Sequence, residues 1–167
     1  MANTYTLIEA KTLTATTANI TFSSIPATYT DLQLVASVRA LRTGFPADDL
    51  VIQFNGTTAN HSGKRLYGYA SSITSDSQAD IRGFASDADQ TANVFGSNSF
   101  YIPNYLSSSY KSVSIDMVTE NNGTDAPLGF FAGLWSNTAA VTSIKVFCNN
   151  SSMVTNSTFY LYGIKNS

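Results

Sequence analysis

The sequence predicts an all-β fold: a two-sheet antiparallel β-sandwich of jelly-roll type, with about nine or ten strands. Three observations predict it. Apolar and polar residues alternate at a period of two in segment after segment. Turn-forming residues punctuate those segments at short intervals, and no helical period appears. Charged residues make up only 12% of the chain, against a usual share of about 25%. Ser, Thr and Asn stand in their place; Thr suits strands, while Ser and Asn suit turns.

The elements follow in chain order. Strands are expected at residues 5–10 and 18–23. The clearest strand is LQLVASVRAL, residues 32–41, in which Leu32, Leu34, Ala36, Val38 and Ala40 form one apolar face. In LVIQFNG, Leu50, Ile52 and Phe54 share a face and Asn55-Gly56 turns the chain. In KRLYGYA, Tyr67 and Tyr69 lie opposite Leu66 and Ala70. Residues 71–97 read as one long irregular stretch, with a short strand around 81–84. Loops of that length tend to be functional or to be ordered by a partner.

The later strands repeat the pattern. Val113, Ile115 and Met117 alternate with Ser112, Ser114 and Asp116, and the segment ENNGTDAP turns the chain. In PLGFFAGLWSN, Leu128, Phe130, Ala132 and Leu134 share one face. Gly129, Phe131, Gly133 and Trp135 share the other, where the glycines leave room for the rings. Ile144, Val146 and Cys148 alternate with Ser143, Lys145 and Phe147. The segment STFYLYGIKNS reads as a final strand, with Phe159 and Leu161 on one face and Tyr160, Tyr162 and Ile164 on the other. A strand apolar on both faces needs cover on both, from the facing sheet and from a loop or neighbouring subunit. Gly163 leaves space for a close approach. The 167 residues form one expected β-sandwich domain, with residues 1–5 as an N-terminal arm.

Composition argues against several function classes. Net charge is −2 and the basic residues are scattered, so no basic stripe is present to engage nucleic acid. No apolar run approaches the ~18 residues of a helical membrane span. The N-terminal segment MANTYTLIEAKTL has no signal-peptide pattern. With Cys148 as the single cysteine, neither an internal disulfide nor a cysteine-rich zinc cluster is available.

No residue pattern points to catalysis, and an enzyme is not expected. The single histidine, His61, sits in the polar segment NGTTANHSGK and reads as a solvated loop residue. No G-x-S-x-G elbow occurs. Cys148 reads as a small core hydrophobe. Asp116 shares a strand face with Ser112 and Ser114 and reads as solvated, which argues against a glycosidase carboxylate pair. Asp76, Asp80, Asp87 and Asp89 invite a calcium reading. An EF-hand started at Asp87 then fails, because Ala92 and Asn98 stand where Gly and Glu belong. No metal and no cofactor are expected. The Asn-x-Ser/Thr sequons carry no weight in so Asn-, Ser- and Thr-rich a chain. Tyr67, Tyr69, Phe131 and Trp135 could stack on sugar rings, but aromatic strand faces in a sandwich more commonly form its core.

Several phrases together resemble a type of tailed-bacteriophage virion protein: FSSIPATYTDLQLVASVRA, VIQFNG with RLYGYASS, FGSNSFYIPNY, GLWSNTAAVTSIKVF and STFYLYGI. They span about residues 21–164. The resemblance implies a compact β-sandwich module made in bacterial cytoplasm and carried on the virion. It implies a capsid decoration (cement) protein on the outer capsid surface, with the major capsid protein as partner. Threefold positions of an icosahedral shell would suit a homotrimer. The alternative is a receptor- or glycan-binding module of a tail fibre or spike. No catalytic residue is carried over. The expected interface residues are Ala2 and Tyr5 of the arm, Phe45 and Pro46 in loop 42–49, Asp87 and Asp89 in acidic loop 76–89, and Tyr160 and Tyr162 of the final strand.

Overall fold

The computed structural model describes residues 4–123 and 125–165. It contains twelve strands: β1 (Tyr5–Thr12), β2 (Asn19–Phe22), β3 (Asp31–Val38), β4 (Ala47–Phe54), β5 (His61–Tyr69), β6 (Ser72–Gln78), β7 (Ile81–Ser86), β8 (Gly96–Ile102), β9 (Lys111–Val118), β10 (Leu128–Trp135), β11 (Ile144–Cys148) and β12 (Thr158–Ile164). They form an antiparallel sheet of eight, in the order β1-β12-β3-β8-β9-β10-β5-β6, and one of four, in the order β2-β11-β4-β7. The all-β, two-sheet expectation holds, and the strand count exceeds it. Much of the stretch read as irregular is regular structure: β6 and β7 occupy most of residues 72–86 and β8 opens at Gly96.

Alternation places the core between the sheets. In β3, Leu32, Leu34, Ala36 and Val38 are buried. Leu50, Ile52 and Phe54 of β4 meet them from the smaller sheet, with Ile144, Val146 and Cys148 of β11. Cys148 is buried, and burial pushes its thiol well above the ordinary range. It is a packing residue, as read from the sequence. Gly163 takes the close approach expected of it: a methyl group there would overlap the ring of Tyr29, which packs against the core.

His61 departs from its reading as a solvated residue. It opens β5 on the inward face and is only 6% exposed. Its ring stacks on Trp135 at 6.0 Å, and its Nε2 accepts the Phe54 amide proton at 3.3 Å.

Two polar side chains tie the architecture together. The Asn98 amide of β8 reaches β7, accepting from Phe84 N and donating to Phe84 O, both at 2.7 Å. It pairs with that backbone as a neighbouring strand would. Arg39, just past β3, donates to the carbonyls of Ala88, Gln90, Thr91 and Val94. One guanidinium thus gathers most of the β7–β8 connection around itself. Turn chemistry explains the abundance of asparagine: among the described residues, six of the eight non-glycine positions with positive φ are Asn, which tolerates the left-handed region.

Candidate interaction surface

The eight-stranded sheet is twice as wide as its partner sheet, and its outer face has no layer over it among the described residues. Register fixes which side chains are neighbours there. One row runs Ile73, Gly68, Leu128, Val118; the next runs Ser75, Leu66, Phe130, Asp116; the third runs Ser77, Lys64, Ala132, Ser114. Apolar residues therefore cluster on the outer face of β6, β5, β10 and β9. Ile73 is 80% exposed and Phe130 60%. Leu66, Leu128, Val118 and Leu134 are also exposed. Isolated exposed apolar side chains are ordinary, whereas contiguous groups of them are a recurring feature of interaction surfaces. Phe130 stands between two shallow depressions. One, of about 290 Å³, lies toward Val118 and Ser99. The other, of about 480 Å³, lies toward Leu66 and Lys64.

The inner face of the same sheet overhangs the smaller one at β5 and β6. A cleft of about 340 Å³ opens there, walled by Arg42, Phe45 and Pro46 from the β3–β4 loop and by Tyr67 and Tyr69 from β5. Arg42 lies over the Phe45 ring, 3.7 Å from its centroid. Five charged residues form a chain along the cleft floor and the open edge. Asp76 pairs with Arg65 at 2.7 Å, and Arg65 with Asp49 at 3.0 Å. Asp49 then pairs with Arg82, and Arg82 with Asp80, both at 2.5 Å. Hydrogen bonding to Arg65 holds the Asp76 carboxyl below its usual range. Burial pushes the Asp49 carboxyl up, although Arg82 and Arg65 pull it down. Asp76 and Asp80, read as calcium candidates, are thus held by arginines. Among the described residues no group of three or more His, Cys, Asp or Glu is placed to hold a metal ion.

No family model and no curated protein matches this chain.

The expected interface residues fall in three places. Tyr5 is exposed on edge strand β1 and packs edge-on to Tyr162 at 6.4 Å. Tyr160 and Tyr162 are half-buried on the outer face of β12, at the opposite end of the sheet from the apolar cluster. Phe45 is 55% exposed at the cleft mouth, beside the half-buried Pro46. Asp89 is exposed and accepts the Gly44 amide proton, joining two loops. Asp87 corrects the reading of an acidic surface loop. It is fully buried, its carboxyl oxygens have no hydrogen-bond partner among the described residues, and burial together with Asp48 pushes its carboxyl up to about 7. Ala2 lies outside the described residues.

Sequence reasoning missed the apolar cluster itself. The signal was present in LGFFAGLW, which is apolar at both parities apart from its glycines. The final strand shows the same two-faced pattern, and there it is read as a demand for cover. Phe130 belongs to the outward set, and the core is filled by Phe131 and Trp135.

Proposed function

We propose that this chain is a non-enzymatic structural module of a virus particle, a decoration protein that binds the outer shell and stabilises it. The observation that carries the reading is the exposed apolar cluster around Phe130. Such a surface is stable in water only at a cost, and that cost is relieved when another protein covers it. Placement on a virion rests on the sequence resemblance spanning about residues 21–164. The rigid two-sheet body supports the same reading, because decoration needs a fixed shape and a patch that binds the assembled state more tightly than its free parts. Particles lacking the protein should lose heat resistance while still adsorbing to cells. Unchanged heat resistance with lost adsorption would reverse the assignment in favour of a tail-fibre module.

The cleft favours a second reading at one point. Phe45, Tyr67 and Tyr69 stand beside arginine and aspartate side chains, a mixture that suits a sugar ring. Under that reading the chain is a glycan-binding module of a fibre or spike. A glycan array with the purified protein decides it: binding abolished by Tyr69→Ala supports the module, and no binding removes it.

A further inference from the structure

The outer apolar face is complementary to itself. Consider a twofold axis parallel to the strands, above the sheet and between β5 and β10. It lays β5 of one copy over β10 of the other, and β6 over β9. Row by row, Leu66 then meets Phe130 of the second copy, and Ile73 meets Val118. Leu128 meets Gly68, a large side chain over the position that has none. Each Phe130 enters the depression bounded by Lys64, Leu66 and Ala132 on the facing sheet. Face-to-face sheets pack about 10 Å apart with interdigitating side chains, and this arrangement supplies both knobs and holes.

Charge follows the same symmetry. Lys64 on β5 and Asp116 on β9 lie on opposite sides of β10 on this face, about 10 Å apart across the sheet. The twofold brings Lys64 of each copy over Ala132, one strand and one row from Asp116 of the other, within reach of a lysine side chain. Two such pairs form per contact. Asp116 of each copy also faces Ser75, a hydroxyl donor.

From this complementarity we infer that the outer face of the eight-stranded sheet pairs with a second copy of this chain about that twofold axis. The inference rests on the reading of the Phe130 cluster as an interface, and it names the occupant. An isologous contact of this kind closes on itself and leaves other exposed apolar side chains, Tyr110 and Leu7 among them, outside it.

Sedimentation equilibrium of the full chain tests it. A dimer is expected, and Phe130→Ser should give a monomer whose melting temperature matches that of the parent diluted to its monomeric form, because Phe130 lies outside the core. Lys64→Glu and Asp116→Lys should each weaken the dimer about tenfold, and the double swap should restore it. A monomer at every soluble concentration would overturn the inference, as would a trimer, the form that shell threefold positions favour. Singles and double weakened alike would also overturn it. A monomer that still protects particles against heat would refute self-pairing while leaving the decoration role standing.

Discussion

Arg65 Nη1 and Asp49 Oδ1 meet at 3.0 Å across the step between the two sheets. Arg65 belongs to the overhanging β5–β6 hairpin and Asp49 to the smaller sheet. This pair, with Asp76, Arg82 and Asp80, fastens the hairpin that carries Leu66 and Ile73. Arg65 is mostly buried, so removing its charge leaves Asp49 and Asp76 with one partner fewer in a poorly solvated place. Arg65→Met should lower stability by about 1–3 kcal/mol. Hydrogen exchange should show the loss concentrated in β6. Unchanged exchange in β6 would mean that the hairpin is held by its ladder alone.

Gly163 and Tyr29 define a second contact. Gly163→Ala should cost about 1–3 kcal/mol, because the ring must move off the strand. Combined with Tyr29→Ala, the glycine substitution should cost much less, which a double-mutant cycle by chemical denaturation measures. Additive losses would show that Tyr29 is not the obstacle.

Asp87 gives a pH signature. Its carboxyl is pushed up to about 7, by burial first and by the Asp48 carboxylate second, against the pull of Arg42 and Arg39. Asp89 adds to the upward shift, and the buried Cys148 thiol lies in the same electrostatic neighbourhood. The folded chain therefore holds a proton that the unfolded chain releases near pH 4. Stability should fall as pH rises from about 4 to about 7 and then level off, by an amount on the order of a few kcal/mol. Asp87→Asn should flatten that slope and be more stable than the parent at pH 8. A parent-like slope in the variant, followed by denaturant titration, would remove Asp87 from the account.

Ala70 has φ 51° in the β5–β6 turn, a region that costs a non-glycine residue about 1–2 kcal/mol. Ala70→Gly relieves that strain at some entropic cost, and Ala70→Asn at less. Both should raise the melting temperature, Asn by more. A fall in both would indicate that the turn depends on the alanine methyl.

The strands of the core were legible because their two faces differ chemically: β3 and β9 announce themselves by alternation. Strand β6, SITSDSQ, was not, because an edge strand wet on both faces has no apolar period to show. Strand β8 was hidden for another reason. Its inward residues include Gly96 and Asn98, and the Asn98 amide works as a backbone partner to Phe84, a role no residue pattern advertises. His61 was misread because the polar residues around it outweighed its place at the start of a strand. Asp87 was misread because an acidic loop is normally solvated, whereas Arg39 holds the carbonyls of the segment that follows it and Asp87 itself is buried. The exposed apolar face was the hardest part. Phe130 and Leu128 lie on an apolar strand face, and only the pairing order of the strands shows that this face points to solvent.

The central claim is that the outer face around Phe130 is covered in the working assembly. Hydroxyl-radical footprinting of the protein on intact particles, compared with the dilute purified chain, tests it most directly. Strong protection of Leu66, Ile73 and Phe130 on the particle, with Leu41 as the reference position, is the predicted result. Equal labelling of the Phe130 cluster in both states would contradict it.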